Sequence, residues 1–303
     1  MSELLTRAGS YIAIIILGYC LKRVGFFKEE DFGVLSRITL KITVPASTIV
    51  SFATMKMDAS LLVLILLGLG GGLLYMGIAW LLDLRASREQ RAFDILNYSG
   101  HNVGMLTMPL AQTFFGPIGV IATGLFGTGN AIVCLGGSYG VAALVKDGKG
   151  FSWKRIGKAL ITSVSFMCYL VMTLWNLSGI PVPGALISCA EVIKGANAFM
   201  AMLMIGVGLK ITARWEQIRC ILKVLVIRYG VATVLALLYY YVLPLPLEVR
   251  QMLVILAFSP LSSATPAFTA ELKGDVSLSS AINSICLLCS LVIMIVLISV
   301  MLY

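Results

Sequence analysis

The sequence predicts an all-α polytopic membrane protein, and three observations carry that prediction. Apolar residues make up 59% of the 303 residues and charged residues only 12%, about half the charged share of an ordinary soluble domain. Mean hydropathy is +0.97. The apolar residues fall in continuous runs near the roughly 20 residues a membrane helix needs, not in the alternation of a transmembrane barrel.

The first segment, residues 4–21, is followed at once by Lys22 and Arg23. A cleaved signal carries its charge ahead of the apolar core, so this segment is expected to be a retained span. The second, 32–53, contains Arg37, Lys41 and Pro45. The third, 60–82, clusters Gly68, Gly70, Gly71 and Gly72, which suits close helix approach. The fourth (92–115) and fifth (118–145) are separated by a Gly116-Pro117 turn. Five more follow at 159–177, 184–209, 218–242, 248–272 and 276–302. The expected organisation is a first five-helix half over 1–145, a basic cytoplasmic linker over 146–158 and a second five-helix half over 159–303.

Basic residues orient the segments. The loops after segments one, three, five and seven hold fifteen: Lys22, Arg23 and Lys28; Arg85, Arg88 and Arg91; Lys146, Lys149, Lys154, Arg155 and Lys158; Lys210, Arg214, Arg219 and Lys223. Arg7, Lys56, Arg250 and Lys273 are assigned to the opposite face. The bias predicts a multi-pass inner-membrane protein with odd-numbered loops in the cytoplasm and both termini outside. It also accounts for the net charge of +9. With no soluble basic module, nucleic acid is excluded as a partner.

An internal repeat is visible. Gly25 after segment one aligns with Gly179 after segment six, 154 residues apart, and Gly116 aligns with Gly274, 158 apart. Five helices per half is an odd number, so the halves enter the membrane with opposite orientation. Inverted repeats with matched broken helices are the sequence pointer to alternating access.

The breaks are His101-Asn102-Val103-Gly104-Met105-Leu106-Thr107-Met108-Pro109 in segment four and Phe258-Ser259-Pro260-Leu261-Ser262-Ser263-Ala264-Thr265-Pro266 in segment nine. Pro109 takes the intrahelical donor from the carbonyl of Met105, Pro260 from that of Leu256 and Pro266 from that of Ser262. Gly104 weakens its turn further. Opened backbone at membrane depth survives only where protein or a wet cavity satisfies it. The candidate binding residues are therefore His101, Asn102, Gly104, Thr107, Pro109, Ser259, Pro260, Ser262, Ser263, Thr265 and Pro266. Helix restarts aimed at one point present positive dipole ends, which favours a carboxylate. Kinked packing helices are the bland alternative, and the pairing of the breaks argues against it.

Lys41, one turn before Pro45, supplies positive charge to such an anion, and Arg37 snorkels. His101, the single histidine, reads either as a proton carrier or as a structural partner of freed carbonyls. Arg228, Lys194 and Glu191 stay open between interfacial and mechanistic roles. Asp94 is expected to be solvated. Cys286-x-x-Cys289 reads as packing on an apolar helix rather than a redox pair. No metal site, P-loop, HExxH or nucleophile elbow is present, so no enzyme and no cofactor are expected. Any pumping is secondary, and the choice between proton and sodium coupling stays open.

These residues carry a resemblance to the auxin efflux carrier family, in its bacterial branch, over nearly the whole length. It rests on Leu17-Gly18-Tyr19 with Lys22-Arg23, and on Leu35-Ser36 leading to Val44-Pro45-Ala46. It continues through Asn102-x-Gly104 to Pro109-Leu110, Asn176-x-x-Gly179-Ile180-Pro181-x-Pro183, Gly206-x-Gly208-Leu209 and Ser259-Pro260. The resemblance implies ten spans in two inverted repeats of the bile-acid/sodium symporter-like superfamily fold. Spans four and nine would cross at their prolines, with the substrate, a small organic anion such as malonate or malate, at Asn102, Pro109 and Pro260. Two positions depart from the family: Thr107 stands where Gly is common, and Ala196-Asn197-Ala198 where Pro is common. Segment seven is therefore expected to be less bent, with Asn197 a polar contact. Two alternatives to the carboxylate carrier remain, a sodium-coupled symporter of the bile-acid type and a membrane sensor that binds without transporting. The sequence also leaves open whether the chain works alone or as a homodimer.

Overall fold

A computed structural model describes residues 2–148, 150–209 and 217–302, and every regular element among them is helical. Helix α1 (Ser2–Arg23) is followed by α2 (Asp31–Ile38), a π-helical turn at Thr39–Thr43, and α3 (Val44–Thr54). A 3-10 turn at Ala59–Leu62 leads into α4 (Val63–Leu82). Helix α5 (Arg88–Tyr98) stops at a break, and the chain restarts through a π-helical turn at Val103–Thr107 into α6 (Met108–Phe114). Helices α7 (Gly116–Ile132) and α8 (Ser138–Asp147) are joined through a third π-helical turn, kinked at Gly136 with φ 149°. Then come α9 (Trp153–Thr162), α10 (Val164–Ser178), α11 (Gly184–Gly195), α12 (Asn197–Gly208), α13 (Ile218–Tyr241), α14 (Leu247–Ala257), α15 (Thr265–Glu271) and α16 (Val276–Leu302).

Five stretches are each long and apolar enough to cross a membrane: Ala59–Leu82, Gly116–Asp147, Gly184–Gly208, Ile218–Tyr241 and Val276–Leu302. A sixth arises when α9 and α10, which meet at 77°, are taken as one bent span. The chain is thus multi-pass. Three other expected segments are interrupted, 32–53 by the π-turn at Thr39–Thr43 and 92–115 and 248–272 by breaks.

Prolines explain the first two of the three π-turns. Pro45 and Pro109 each sit in the first turn of the helix that follows one. Without an N–H there, the regular ladder fails. The widened turn instead gives the Thr39 carbonyl to the Val44 N–H and the Val103 carbonyl to the Met108 N–H, a five-residue spacing that keeps the chain helical.

Close helix approach depends on glycines facing backbone. A Cβ on Gly68 would collide with the Phe126 carbonyl, and one on Gly129 with the Ile65 carbonyl, so α4 and α7 touch main chain to main chain. Gly18 and Gly206 do the same for α1 and α12. Of the expected cluster, Gly70 has nothing within 4 Å of where a Cβ would stand, so it takes no part in this packing.

Four expectations need correction. Segment six does not run straight over 159–177: it is broken at Ser163, and α9 begins inside the expected linker. Lys273 belongs with the basic face, because Lys146 Nζ donates to the neighbouring Leu272 carbonyl at 2.6 Å and Arg155 pairs with Glu271 at 2.6 Å. Asp94 is not solvated. It is 2% exposed and lies 2.9 Å from Lys223 Nζ, which also reaches Asp83 at 3.0 Å. The two buried carboxylates, held by the half-exposed Lys223, tie α4, α5 and α13 together at the basic end. Leu256 O is not left free by Pro260, since it accepts from Ser259 N–H at 3.1 Å. Lys149, Lys210 and Arg214 lie outside the described residues.

Candidate functional site

The two breaks meet. The Asn102 N–H donates to the Pro260 carbonyl at 2.8 Å, and the hydroxyls of Thr107 and Ser259 share a hydrogen bond of 2.7 Å. Both contacts join the first half of the chain to the second, and all four residues come from the two proline-interrupted stretches.

Freed carbonyls are then satisfied from neighbouring helices. Arg228, on α13, is 2% exposed and reaches both breaks. Its guanidinium donates to the carbonyls of Tyr98, Gly100 (3.2 Å) and Ser259 (3.1 Å). It also lies 5.0 Å over the Tyr75 ring, and the Tyr75 hydroxyl donates to the Arg228 carbonyl at 2.9 Å. Among the described residues Arg228 has no carboxylate partner. A guanidinium stays charged in a protein, so the crossing holds a buried positive charge that no carboxylate among the described residues neutralises. Such a charge costs several kcal/mol to desolvate, which its hydrogen bonds to carbonyls only partly offset.

Two asparagines clamp the breaks from the following helices. Asn130, on α7, accepts from the His101 N–H at 3.0 Å and donates to the His101 carbonyl at 2.7 Å. Asn283, on α16, donates to the Ser262 carbonyl at 2.7 Å. That carbonyl, which Pro266 deprives of its regular donor, also takes the Thr265 N–H at 3.1 Å. The first restart is capped by its own side chain, with Asn102 Oδ1 accepting from the Met105 N–H at 3.3 Å. At the second, Ser262 Oγ accepts from the Ala264 N–H at 3.4 Å just ahead of α15, whose N-cap carries no side-chain cap. Part of the positive end expected of the first restart is therefore spent internally, and the full charge at the crossing comes from Arg228.

A cavity of about 260 Å³ opens beside the first break, lined by His101, Asn102, Gly104, Asn130 and Cys134, with Ser262 and Ser263 from the second break. Lys41 forms part of its wall, as do Ser163 at the α9/α10 corner and Tyr169 within α10. The His101 ring stands edge-on between Tyr75 and Phe126, each 5.6 Å away, and neither ring nitrogen is hydrogen-bonded among the described residues. A second cavity of about 240 Å³, lined by Glu29, Gly208, Ser263, Pro266 and Asn283, lies beside the second break. A smaller one, about 60 Å³, adjoins Asn102, Ser263 and Asn283.

The predicted residues thus divide. His101, Asn102, Gly104, Lys41, Ser262, Ser263 and Pro266 line cavities. Thr107, Ser259 and Pro260 build the crossing itself. Pro109 and Thr265 are buried in the first turns of α6 and α15, and Pro45 is buried in α3. Asn197 stands apart. It accepts from Thr43 at 2.8 Å and donates to Gln112 Oε1 at 2.9 Å, where Ser47 also donates at 2.7 Å. Segment seven runs as Gly184–Gly208, interrupted only at Ala196. Asn130, Asn283 and Gln112 were missed by a reading that weighed charges and prolines. The signal was present, since each is an amide inside an apolar segment.

Compared with known proteins, residues 10–146 match the model of a family described as membrane transport protein. An uncharacterized transporter of Methanothermobacter thermautotrophicus is 24% identical over 212 residues, covering 68% of this chain and 67% of its own length. Both matches indicate a transport protein and not an enzyme.

Proposed function

We propose that the protein is a secondary carrier of small organic anions, mono- or dicarboxylates, that works by alternating access about the crossing of its two broken helices. The observation that carries this reading is Arg228. A permanent buried cation grips both breaks, and its guanidinium bonds the Gly100 carbonyl next to His101, which lines the first cavity. Arg228 is not itself in the lining, so it favours an anion there through space. A transport role for an intramembrane charge is the default expectation.

Ten spans in two inverted halves fit the pairing of residues across the molecule. Thr43 bonds Asn197, Tyr75 bonds Arg228 and Thr107 bonds Ser259, at separations of 154, 153 and 152 residues. Asn130 and Asn283, which play the same part at the two breaks, are 153 apart. In a chain with a repeat of nearly constant register, a residue touches its counterpart, or that counterpart's neighbour, only close to the two-fold axis. Three such pairs in three helix pairs support an axis running between the halves.

Both larger cavities reach helix ends on the basic side, at Ser163 for the first and at Glu29 and Gly208 for the second. On the opposite side, the Thr43–Asn197–Gln112–Ser47 network draws α3, α6 and α12 together. The reading is a conformation open to the cytoplasm and closed outside. A thermal-shift screen of purified protein against mono- and dicarboxylates tests it, because a bound ligand stabilises by mass action. Stabilisation by at least one carboxylate, lost in Arg228→Gln, is expected. A panel with no stabilising member contradicts the substrate class.

A further inference from the structure

We propose that α9 is a membrane-surface helix that seats anionic phospholipid headgroups on Lys154 and Lys158. The helix meets α10 at 77°, so it runs nearly perpendicular to that helix. Its residues sort into rows four apart. Ile156 is 3% exposed and rests on Gly136 of the kinked turn. Arg155 is engaged with the protein, paired with Glu271 and 4.0 Å over the Tyr139 ring. Facing away is a row with Trp153, 71% exposed, and Ile161, 70% exposed. The adjoining row holds exposed Lys154 and Lys158, which make no ion pair among the described residues.

An apolar row beside a cationic row is the geometry of a helix lying in the headgroup layer. The indole of Trp153 suits that depth, and the two ammonium groups, one turn apart, complement a phosphate between them. A free phosphate would satisfy the lysines but leave Trp153 and Ile161 in water, and this favours a lipid over an ion. Two lysines at the surface make the preference roughly fivefold or more.

The test uses the full chain in liposomes with Trp80, Trp175 and Trp215 replaced by phenylalanine, so that Trp153 is the only indole. Brominated phosphatidylglycerol is expected to quench Trp153 at about one-fifth or less of the mole fraction that brominated phosphatidylcholine requires. Lys154→Gln/Lys158→Gln should bring the two lipids to parity. Should the tryptophan variant fail to fold, the lysine variant in the otherwise native chain serves. Phosphatidylglycerol should then raise the unfolding temperature of the wild type above its value in phosphatidylcholine, and the variant should show no difference. Equal effects of the two lipids on the wild type, a preference that survives the double substitution, or its loss on adding sodium phosphate at matched ionic strength would each overturn the proposal.

Discussion

The guanidinium of Arg228 lies 5.0 Å over the ring of Tyr75, and the Tyr75 hydroxyl returns a hydrogen bond to the Arg228 carbonyl. These residues, 153 positions apart, lock α4 to α13 behind the crossing and aim the positive charge at the carbonyls of both breaks. Arg228→Met would leave the carbonyls of Tyr98, Gly100 and Ser259 buried without donors. A loss of about 3 kcal/mol is expected, read as a lower unfolding temperature in detergent. Arg228→Lys keeps the charge but not the planar fork, so it should recover only part of that loss. An unchanged unfolding temperature in Arg228→Met would remove the residue from the crossing.

Thr107 and Ser259 satisfy each other across the two halves. A double-mutant cycle of Thr107→Val and Ser259→Ala, measured by denaturant unfolding, should give a coupling energy of about 1 kcal/mol. Additive effects would mean that the two hydroxyls do not meet.

Gly129→Ala drives a methyl into the Ile65 carbonyl and should cost about 2 kcal/mol or more. Gly70→Ala, on the same apolar stretch as Gly68, meets open space. It should be neutral or stabilising by up to about 1 kcal/mol through helix propensity. Folded yield and unfolding temperature of the pair separate packing glycines from incidental ones.

Gln112 joins Ser47 and Asn197 on the side opposite the basic face. In a chain whose only cysteine is Cys134, a membrane-impermeant maleimide should label that thiol from the basic side alone. Gln112→Ala removes hydrogen bonds worth about 1 kcal/mol each, and should raise labelling from the opposite side about tenfold or more. Unchanged labelling would mean that the network is not the outer closure.

Much of this arrangement was legible in the chain. Helical class and multi-pass character follow from apolar runs, and the breaks from prolines whose missing N–H groups have fixed consequences. That residues near 101–109 and 259–266 belong together followed from the repeat. What was not legible was how the freed carbonyls are satisfied. Asn130, Asn283 and Arg228 come from other segments, and nothing local to them announces a partner more than 20 residues away. Asp94 misled for a similar reason: a carboxylate near a helix end looks solvated until Lys223 is brought to it. Asn197 was noticed as polar, yet its contacts with Thr43 and Gln112 depend on helix packing that periodicity does not encode.

The central claim is that the crossing is where an organic anion is carried, and counterflow tests it most directly. Liposomes holding purified protein and unlabelled malonate, malate or another member of the carboxylate panel should accumulate the labelled anion from outside. Asn102→Ala loses the cap on Met105, at a cost of about 1 kcal/mol, but keeps the backbone bond to Pro260. It should fold and show no counterflow. Full exchange by Asn102→Ala, or no counterflow of any carboxylate by the wild type, would contradict the account.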